Sequence, residues 1–596
     1  MRILYLFLIS MIFPIYAYSQ NLPHKFKDGD VIYADQINEN FEYLQGVRET
    51  TVDCGISGNG NGINKAINEG YNSIIIKGFC KENLSIDGRS LNTHSLKLRG
   101  YNNDPSQDKI LDASNNESYL ISATYNSMFL KIDNLTLSGG KRGIYTWANV
   151  NLRITNTNFE KYTSVGLRLA SGSTIYAENL KFNGSIESAE TNQSGIQISG
   201  GSMAYFNGLT VENNMNNGID IWQSGTWLSG TNLFESNDTG INIGTGSKLS
   251  FNKDSITTIS ESTIGLNSGQ ADVKLAGEIT ISNNTEKGIN VNLSTFRTEE
   301  STKLEIQNIA SGKAFSAYRS KLEIRNLTAT GDGSTNNNLV EIGDGCSSDL
   351  RNIYVSNSGG DGIKFNNAES YIDNISSINN KKDGVNVWRS NVTIKNASIT
   401  NNEDNGIEIS QGSSSSLYSS TISSNQNEGV SAKRNSYLSL RNSEVKENLD
   451  VGVNISRNSY LDLMASSISS NQNSGIRVSK QSIIDFGGND NDDPIIISNN
   501  TNVGLDVYGG VYIEFDDVNV EFQGNNGSIN LGNDTHMNVG NSNLTVDQEI
   551  NCWSLFSKDP NDETITQESE KPIIEFNYTT DLPQVSSNCR IKTSEN

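Results

Sequence analysis

Two groups of aromatic and charged side chains have the chemistry needed to hold a carbohydrate. The first group consists of Asp220, Trp222 and Trp227, and the second of Lys364, Trp388, Arg389 and Glu408. An indole ring beside carboxylate and amide groups can stack on a sugar ring while the polar groups bind its hydroxyls. The alternative interpretation is that both groups are rim residues on a long solvated face.

Acidic residues suggest Ca²⁺ as a cofactor in two places. Asp361, Asp383 and Asp404 stand one or two residues before a repeated glycine, where they form a column that either binds Ca²⁺ or favours the local turn. The run Gly-Gly-Asn-Asp-Asn-Asp-Asp from 487 to 493 resembles a Gly-Gly-x-Gly-x-Asp calcium turn, except that Asp490 replaces the third glycine. Its candidate ligands are Asp490, Asp492 and Asp493.

Catalytic chemistry is less clearly indicated. A hydrolase with paired carboxylates needs two acids about 5–10 Å apart, and the expected neighbours of Asp220 are Gln197 and Asn242. A β-elimination could instead use a lysine or arginine base with Ca²⁺ neutralising a uronate. The candidate bases are Lys364, Arg389, Lys433 and Arg434.

A short repeat must position all of these residues. The pattern glycine, aliphatic, any residue, aliphatic recurs along the chain, with steps of 22, 22, 23, 23 and 23 residues from Gly362 to Gly475 and then 29 to Gly504. Apolar residues alternate within each unit, as in the run 385–387, and this indicates three short strands per repeat. Such strands cannot bury themselves, so successive coils must stack in parallel.

The sequence therefore predicts an all-β fold, a single-stranded parallel β-helix with about 22–23 residues per coil. No proline occurs between Pro105 and Pro494, as expected where every strand is paired on both edges. Asparagine returns at one turn of the coil, where it tolerates a left-handed backbone and can form a ladder. The ladder positions are Asn134, Asn156, Asn326, Asn352, Asn374, Asn396 and Asn442.

The N-terminus and the cysteines indicate export. Residues 1–19 have a charged start, an apolar run too short to span a membrane, and a small-x-small ending, which together predict a secretory signal peptide. An uncleaved anchor helix is the alternative. The simplest cysteine pairing is Cys54 with Cys80 and Cys552 with Cys589, which leaves Cys346 as a buried thiol. The protein is therefore expected outside the cytoplasm, secreted or on the cell surface.

The repeat resembles the right-handed parallel β-helix proteins of the pectin-lyase-like superfamily over residues 50–545. Residues 73–86, Ser-Ile-Ile-Ile-Lys-Gly-Phe-Cys-Lys-Glu-Asn-Leu-Ser-Ile, are similar to the opening of exported bacterial β-helix proteins. This resemblance implies right-handed coils that follow a capping helix near Ile63 to Ile67. The catalytic residue sets of polygalacturonases, pectin methylesterases and pectate lyases are absent from the sequence.

Four segments are expected along the chain. They are the signal peptide (1–19), an extension with a short amphipathic helix (20–50), the β-helix with its N-terminal cap (51–545) and a C-terminal cap or tail (546–596). Caps are needed because an open end of a β-helix is an exposed sheet edge. The amphipathic helix either docks on the first coil or joins other chains.

Two functions are compatible with these patterns. The first is a carbohydrate-binding or surface adhesion module, favoured by even coils and the lack of a catalytic set. The second is an extracellular polysaccharide lyase or hydrolase, which the aromatic and charged columns allow. A net charge of −23 disfavours nucleic acid as a partner, and no apolar run of about 18 residues follows residue 20. A polysaccharide or cell-surface glycan is the expected partner.

Overall fold

The structure of the protein is a computed structural model. It describes residues 47–89, 91, 95–125, 127–184, 191–488, 493–540, 542–552, 572–576 and 583–593. The predicted signal peptide and the predicted amphipathic helix before residue 47 lie outside the described residues.

The chain forms a right-handed parallel β-helix of about 21 turns, which confirms the expected fold class. Sheet 1 receives one strand from each coil, and sheet 2 receives two strands that meet at a bend. The strands of sheet 1 are Leu84–Asp87, Tyr119–Thr124, Arg142–Trp147, Val165–Leu169, Ser194–Ser199, Asn217–Trp222, Thr239–Ile243, Ile264–Gly269, Lys287–Asn292, Lys313–Tyr318, Val340–Gly343, Ile363–Asn366, Val385–Trp388, Ile407–Ser410, Val430–Lys433, Val453–Ser456, Ile476–Ser479, Val503–Tyr508, Gly527–Leu531 and Ile550–Cys552.

Sheet 2 runs the length of the solenoid, and some of its strands pass through the bend without interruption. Its strands are Glu49–Gly60, Ser73–Lys81, Ser95–Gly100, Lys109–Leu111, Phe129–Asp133, Thr136–Ser138, Asn151–Glu160, Thr174–Asn183, Met203–Glu212, Gly225–Glu235, Lys248–Phe251, Ile256–Ser260, Asp272–Leu275, Glu278–Ser282, Thr295–Thr298, Lys303–Gln307, Lys321–Thr330, Ser347–Ser356, Glu369–Ile378, Asn391–Thr400, Ser414–Tyr418, Thr421–Ser423, Tyr437–Arg441, Glu444–Lys446, Tyr460–Met464, Ser467–Ser469, Ile483–Gly487, Ile495–Ser498, Tyr512–Asp516, Asn519–Gln523, His536–Val539, Asn543–Val546, Ile573–Phe576 and Arg590–Thr593.

The core is a set of aliphatic columns inside the tube. Ile219, Ile241 and Leu266 are successive members of one column, aligned across parallel strands and buried. The residue between two inward positions points outward, so sheet 1 presents one side chain per coil to solvent at each register position. This arrangement gives the outer face of sheet 1 its columns of polar residues.

The bend in sheet 2 uses the asparagines that the sequence predicted. Asn352 and Asn374 have φ of 55° and 59°, and Asn374 Nδ2 donates to Asn352 Oδ1 at 2.8 Å. A second asparagine ladder, which was not predicted from the sequence, lies inside the coil at the turn before sheet 1. Its members are Asn380, Asn402, Asn425, Asn448, Asn471, Asn500 and Asn525, all buried and each bonded to the next.

The motif at residues 73–86, which resembles the opening of exported β-helix proteins, makes structural contacts in the first coils. Cys80 forms a disulfide with Cys54, as expected. The carboxylate of Glu82 accepts hydrogen bonds from the first backbone N–H groups of the helix Ile63–Asn68, including Ile63 N at 2.7 Å. Asn83 donates to Tyr119 O at 2.8 Å and so joins the opening strand to the next coil. The motif therefore stabilises the start of the solenoid.

The C-terminal part extends sheet 2 beyond residue 545. The strands Ile573–Phe576 and Arg590–Thr593 pair in parallel with each other, and the first also pairs with His536–Val539. The expected disulfide between Cys552 and Cys589 is present, and Cys346 is buried with a free thiol. Within the described ranges, the chain has no helix of the length and apolarity required for a membrane span.

Candidate functional site

The outer face of sheet 1 brings Asp220 and Trp222 together. Trp222 Nε1 donates to Asp220 Oδ1 at 3.1 Å, and Asn242 Nδ2 of the next coil donates to the same oxygen at 2.8 Å. The indole lies over Gly244, where a side chain would collide with it, and 49% of Trp222 is exposed. The result is a flat apolar surface whose position is held by a carboxylate.

A chain of amides continues from Asp220 along sheet 1. Asn267 Nδ2 donates to Asn242 Oδ1, and Asn290 Nδ2 donates to Asn267 Oδ1, each at 2.8 Å. Burial raises the pKa of Asp220, and the two donors that bind its carboxylate oppose this effect. The ladder therefore orients the carboxylate and provides a row of polar groups beside the indole.

Trp227 does not join this group, which corrects the grouping expected from the sequence. The chain turns after Trp222, so Trp227 lies on the outer face of sheet 2 and Asp220 on that of sheet 1. There it stacks on Tyr205 with ring centroids 4.7 Å apart, and Tyr205 stacks on Tyr176 at 4.8 Å. Parallel strands align these three rings because they occupy the same register position in successive coils.

A groove of about 690 Å³ follows this aromatic stack. Its floor is the outer column of sheet 2, and the turn after Phe251 contributes Asn252 and Lys253 to its lining. Other lining residues are Arg153, Thr155, Tyr176, Ala177, Glu178, Tyr205, Phe206, Asn207, Trp227, Leu228, Ser229, Ser250, Phe251, Lys274 and Glu299. The volume lies within the usual range for small-ligand sites.

The residue that follows Trp227 in its column is Ser250, and the next is Lys274. Serine is too small to stack on an indole, so the aromatic column stops at Trp227. Tyr205 covers one face of the indole, and the other face borders the groove. Lys274 forms an ion pair with Glu299 on the far side of this slot. A planar or ring-shaped group would fit between Trp227 and this ion pair.

The second predicted group is arranged on sheet 1 as its sequence positions implied. Lys364 and Glu408 point outward in the same column, separated by one coil. The guanidinium of Arg389 lies 4.0 Å from the ring centroid of Trp388, so Arg389 covers part of that indole. Lys433 Nζ binds Glu408 Oε2 at 2.9 Å. Trp388 thus offers a smaller stacking surface than Trp222.

Two aspartates at the corner next to this group are buried. Asp361 is 5% exposed and Asp383 is 4% exposed. Burial raises the pKa of Asp361 to about 6, although Lys364 and Lys382 lower it. Burial also raises the pKa of Asp383 to about 8, and the negative charges of Asp361, Glu408 and Asp404 add to this shift. Burial therefore favours the protonated form of both carboxyls.

Hydrogen bonds account for the position of Asp383. Asn386 Nδ2 donates to its Oδ2 and Asn405 Nδ2 donates to its Oδ1, both at 2.9 Å. Asp383 is thus a buried, hydrogen-bonded residue of the corner, beside Asp361.

Metal binding remains a prediction. Asp490 and Asp492 lie outside the described residues, and Asp493 is exposed. Among the residues that the structure describes, no group of three or more His, Cys, Asp and Glu side chains is arranged to hold a metal ion. Asp361, Asp383 and Asp404 are therefore not arranged as a metal-binding group.

Tyr176 and Tyr205 were not found by sequence reasoning, and Trp227 was placed in the wrong group, although the repeat contains their signal. The steps from Tyr176 to Tyr205 and from Tyr205 to Trp227 are 29 and 22 residues, and the three residues occupy one register position. The Asn-Asn pairs at 379–380 and 401–402 are likewise 22 residues apart. Aligning every position of the repeat, in addition to its glycine motif, would have revealed both columns.

Comparison with known proteins supports the fold. Residues 338–491 match the family model described as "Right handed beta helix region". The expected resemblance to right-handed parallel β-helix proteins is thereby confirmed at the level of fold. No curated protein matches the chain at a significant level.

The solved structures that match part of this chain include two epimerases. The crystal structure of the periplasmic alginate epimerase AlgG has 12% identity, covering 68% of this chain and 85% of that chain, with a TM-score of 0.20. The Azotobacter vinelandii mannuronan C-5 epimerase AlgE6 A-module has 12% identity, covering 78% of this chain and 99% of that chain, with a TM-score of 0.17. At these values, neither structure informs the function of this chain.

Proposed function

We propose that this protein binds a polysaccharide outside the cytoplasm and that the groove on sheet 2 is the main binding site. The observation that carries the proposal is the slot between Trp227 and the Lys274–Glu299 pair, bordered by the free face of an indole. A sugar ring placed over Ser250 would continue the aromatic column. The amides of Asn207 and Asn252 and the ion pair are suited to bind its hydroxyls.

Export is part of the same proposal. One disulfide lies near each end of the solenoid, joining cysteines 26 and 37 residues apart, and such bonds persist in oxidising compartments. The predicted signal peptide supports the same location. The exposed indole of Trp222 on sheet 1 is proposed as an additional contact for a glycan, because its carboxylate and amide neighbours match the chemistry of the groove.

The groove is tested by filling the slot. We expect Trp227→Ala to weaken binding about 10-fold, the loss of one aromatic stack of about 1.4 kcal/mol. We expect Ser250→Phe to abolish binding while Trp227 remains in place, because the new ring would occupy the position of the sugar. The measurement is calorimetric titration of the mature protein with a panel of acidic and neutral oligosaccharides.

The matched control is Tyr437→Ala. Tyr437 and Tyr460 form a stacked pair at 5.3 Å on the same sheet but do not line the groove. This variant should bind like the wild-type protein. Unchanged affinity of Ser250→Phe for every oligosaccharide that the wild-type protein binds would exclude the groove as the site.

A second candidate function is polysaccharide cleavage at Asp361 and Asp383. The observation that favours it is that two carboxyl groups from neighbouring coils lie at the corner beside Lys364, where burial raises the pKa of both. One carboxyl could then donate a proton while the other accepts one, which is the requirement of a glycosidase or lyase site. Lys364 is the proposed base for an elimination.

The test is incubation of the mature protein with acidic and neutral polysaccharides, with and without Ca²⁺. New reducing ends without unsaturation would indicate hydrolysis, and unsaturated products would indicate elimination. We expect Asp383→Asn to lower either rate at least about 100-fold, as is typical for loss of a general acid or base. Absence of products from every polysaccharide would leave binding as the function.

A further inference from the structure

Two arginines from adjacent coils contact the same aromatic ring, Tyr145, near the N-terminal end of sheet 1. Arg168 points outward directly beside Tyr145 of the preceding coil, whose strand begins with Arg142. Tyr145 and Arg168 occupy one register position in neighbouring strands, about 4.8 Å apart, whereas Arg142 stands three residues before that position. Both side chains are half-buried. Holding two like charges in this way is unfavourable unless something compensates for them.

Aromatic rings hold the pair in place. Tyr119 and Tyr145 stack with centroids 4.8 Å apart, and the Arg142 guanidinium lies 5.1 and 5.3 Å from those two centroids. Arg142 Nη1 also donates to the hydroxyl of Tyr119 at 3.0 Å. The Arg168 guanidinium lies 5.9 Å from the Tyr145 centroid. These contacts orient the arginines without neutralising their charge.

The protein supplies no counter-ion among the residues that the structure describes, since neither arginine forms an ion pair there. The buried Nε atoms of both side chains also have no hydrogen-bond acceptor. The chain has 68 acidic residues, yet none of those that the structure describes forms an ion pair with Arg142 or Arg168. Burial and the charge of Arg142 lower the pKa of Arg168, which is the direction expected for an uncompensated pair.

We propose that Arg142 and Arg168 form a binding site for an oxyanion, a carboxylate or a sulfate ester, carried on a sugar ring. Trp147 lies on the same strand face as Tyr145, two residues further on, and is 43% exposed. An indole next to two cations fits a ring that bears an anionic group. The site lies on sheet 1, so it is separate from the groove on sheet 2.

The site is tested by titrating the full chain with an oligouronate, a sulfated oligosaccharide and a neutral oligosaccharide of equal length. We expect the anionic probes to bind at low salt and to weaken at 0.5 M salt, with the neutral probe at least about 10-fold weaker. The probe that binds more tightly identifies the anion. The double variant Arg142→Gln, Arg168→Gln should lose at least about 30-fold in affinity for that probe.

Matched variants separate this site from general attraction between an anion and surface cations, and from binding in the groove. Arg457→Gln removes an exposed cation from a turn next to sheet 1, so it should not change affinity for the anionic probe. The titration is repeated in the Ser250→Phe background, where the groove is filled and the loss caused by Arg142→Gln with Arg168→Gln should be unchanged. Trp147→Ala should weaken binding of the oligosaccharide. The proposal is overturned if Arg457→Gln weakens binding as much as the double variant does, or if a single-stranded oligonucleotide binds equally well.

The thermal midpoint of unfolding tests the alternative that the two arginines only stabilise the fold. Because like charges repel, Arg168→Gln should leave the thermal midpoint unchanged or raise it. Arg168→Lys keeps the charge but loses the planar group, so it should retain part of the affinity. A lower midpoint for Arg168→Gln together with unchanged affinity for the anionic probe would assign the pair a packing role and refute the site.

Discussion

Asn425→Ala is expected to lower the free energy of unfolding of the surrounding coils by about 4 kcal/mol. Asn425 Oδ1 accepts bonds from Asn402 N at 3.1 Å and from Asn402 Nδ2 at 2.8 Å. Its own Nδ2 donates to Asn448 Oδ1 at 2.9 Å. Removing the amide leaves buried donors and an acceptor without partners, and each such group costs about 1–3 kcal/mol.

Hydrogen exchange is the appropriate measurement, because a solenoid can open locally instead of unfolding in one step. Amide protection should fall in the coils around residue 425 and remain unchanged in distant coils. The control is Asn442→Ala, which removes an exposed asparagine with φ of 50° from the bend. It should cost about 1 kcal/mol. Equal losses for the two variants would show that the buried ladder adds nothing to stability.

Asp383→Asn is expected to remove a pH dependence of stability near residue 383. The pKa of this carboxyl is about 8 in the folded protein against 3.8 for an ordinary aspartate, so the folded state retains a proton that the unfolded state has lost. Stability therefore falls as pH rises from about 4 to about 8, by up to about 1.4 kcal/mol per pH unit. Asparagine does not titrate, so the variant should lose the slope between about pH 6 and pH 8, while Asp361, whose pKa is about 6, retains a slope below pH 6.

The measurement is hydrogen exchange or denaturant unfolding at several values between pH 4 and pH 8.5, with exchange rates corrected for pH. The variant should be no more stable than the wild-type protein at pH 4, because it loses an acceptor for Asn386. At pH 8 it should be the more stable protein. Asp450→Asn serves as the control, since Asp450 occupies a turn further along the solenoid. Parallel pH profiles for wild type and Asp383→Asn would contradict a buried, protonated carboxyl.

Local patterns in the sequence predicted most of the fold because a β-helix repeats one local rule. The alternation around Ile219 and Ile241 and the 22- or 23-residue period already imply stacked strands in register. The pairing of Cys54 with Cys80 followed from their nearness at one end. The outward column, with Asp220 beside Asn242, also followed directly, because a side-chain period of two is a property of any strand.

The site depended on information that spacing does not contain. Trp222 and Trp227 are five residues apart, but the turn at Gln223 sends them to different sheets. Tyr205 and Trp227 are 22 residues apart and are in contact. Turn length in each coil sets which residues meet, and the glycine motif alone does not report that length.

The sequence by itself determined the class of fold, the period of the coil, the disulfides and the residues that point outward from sheet 1. Only the tertiary structure decided that the aromatic column stops at Ser250, that Asp383 is buried, and that Arg142 and Arg168 have no counter-ion among the described residues. Each of these properties depends on the side chains one coil above and below. Desolvation and stacking are interactions between coils, whereas strand alternation is a property within one coil.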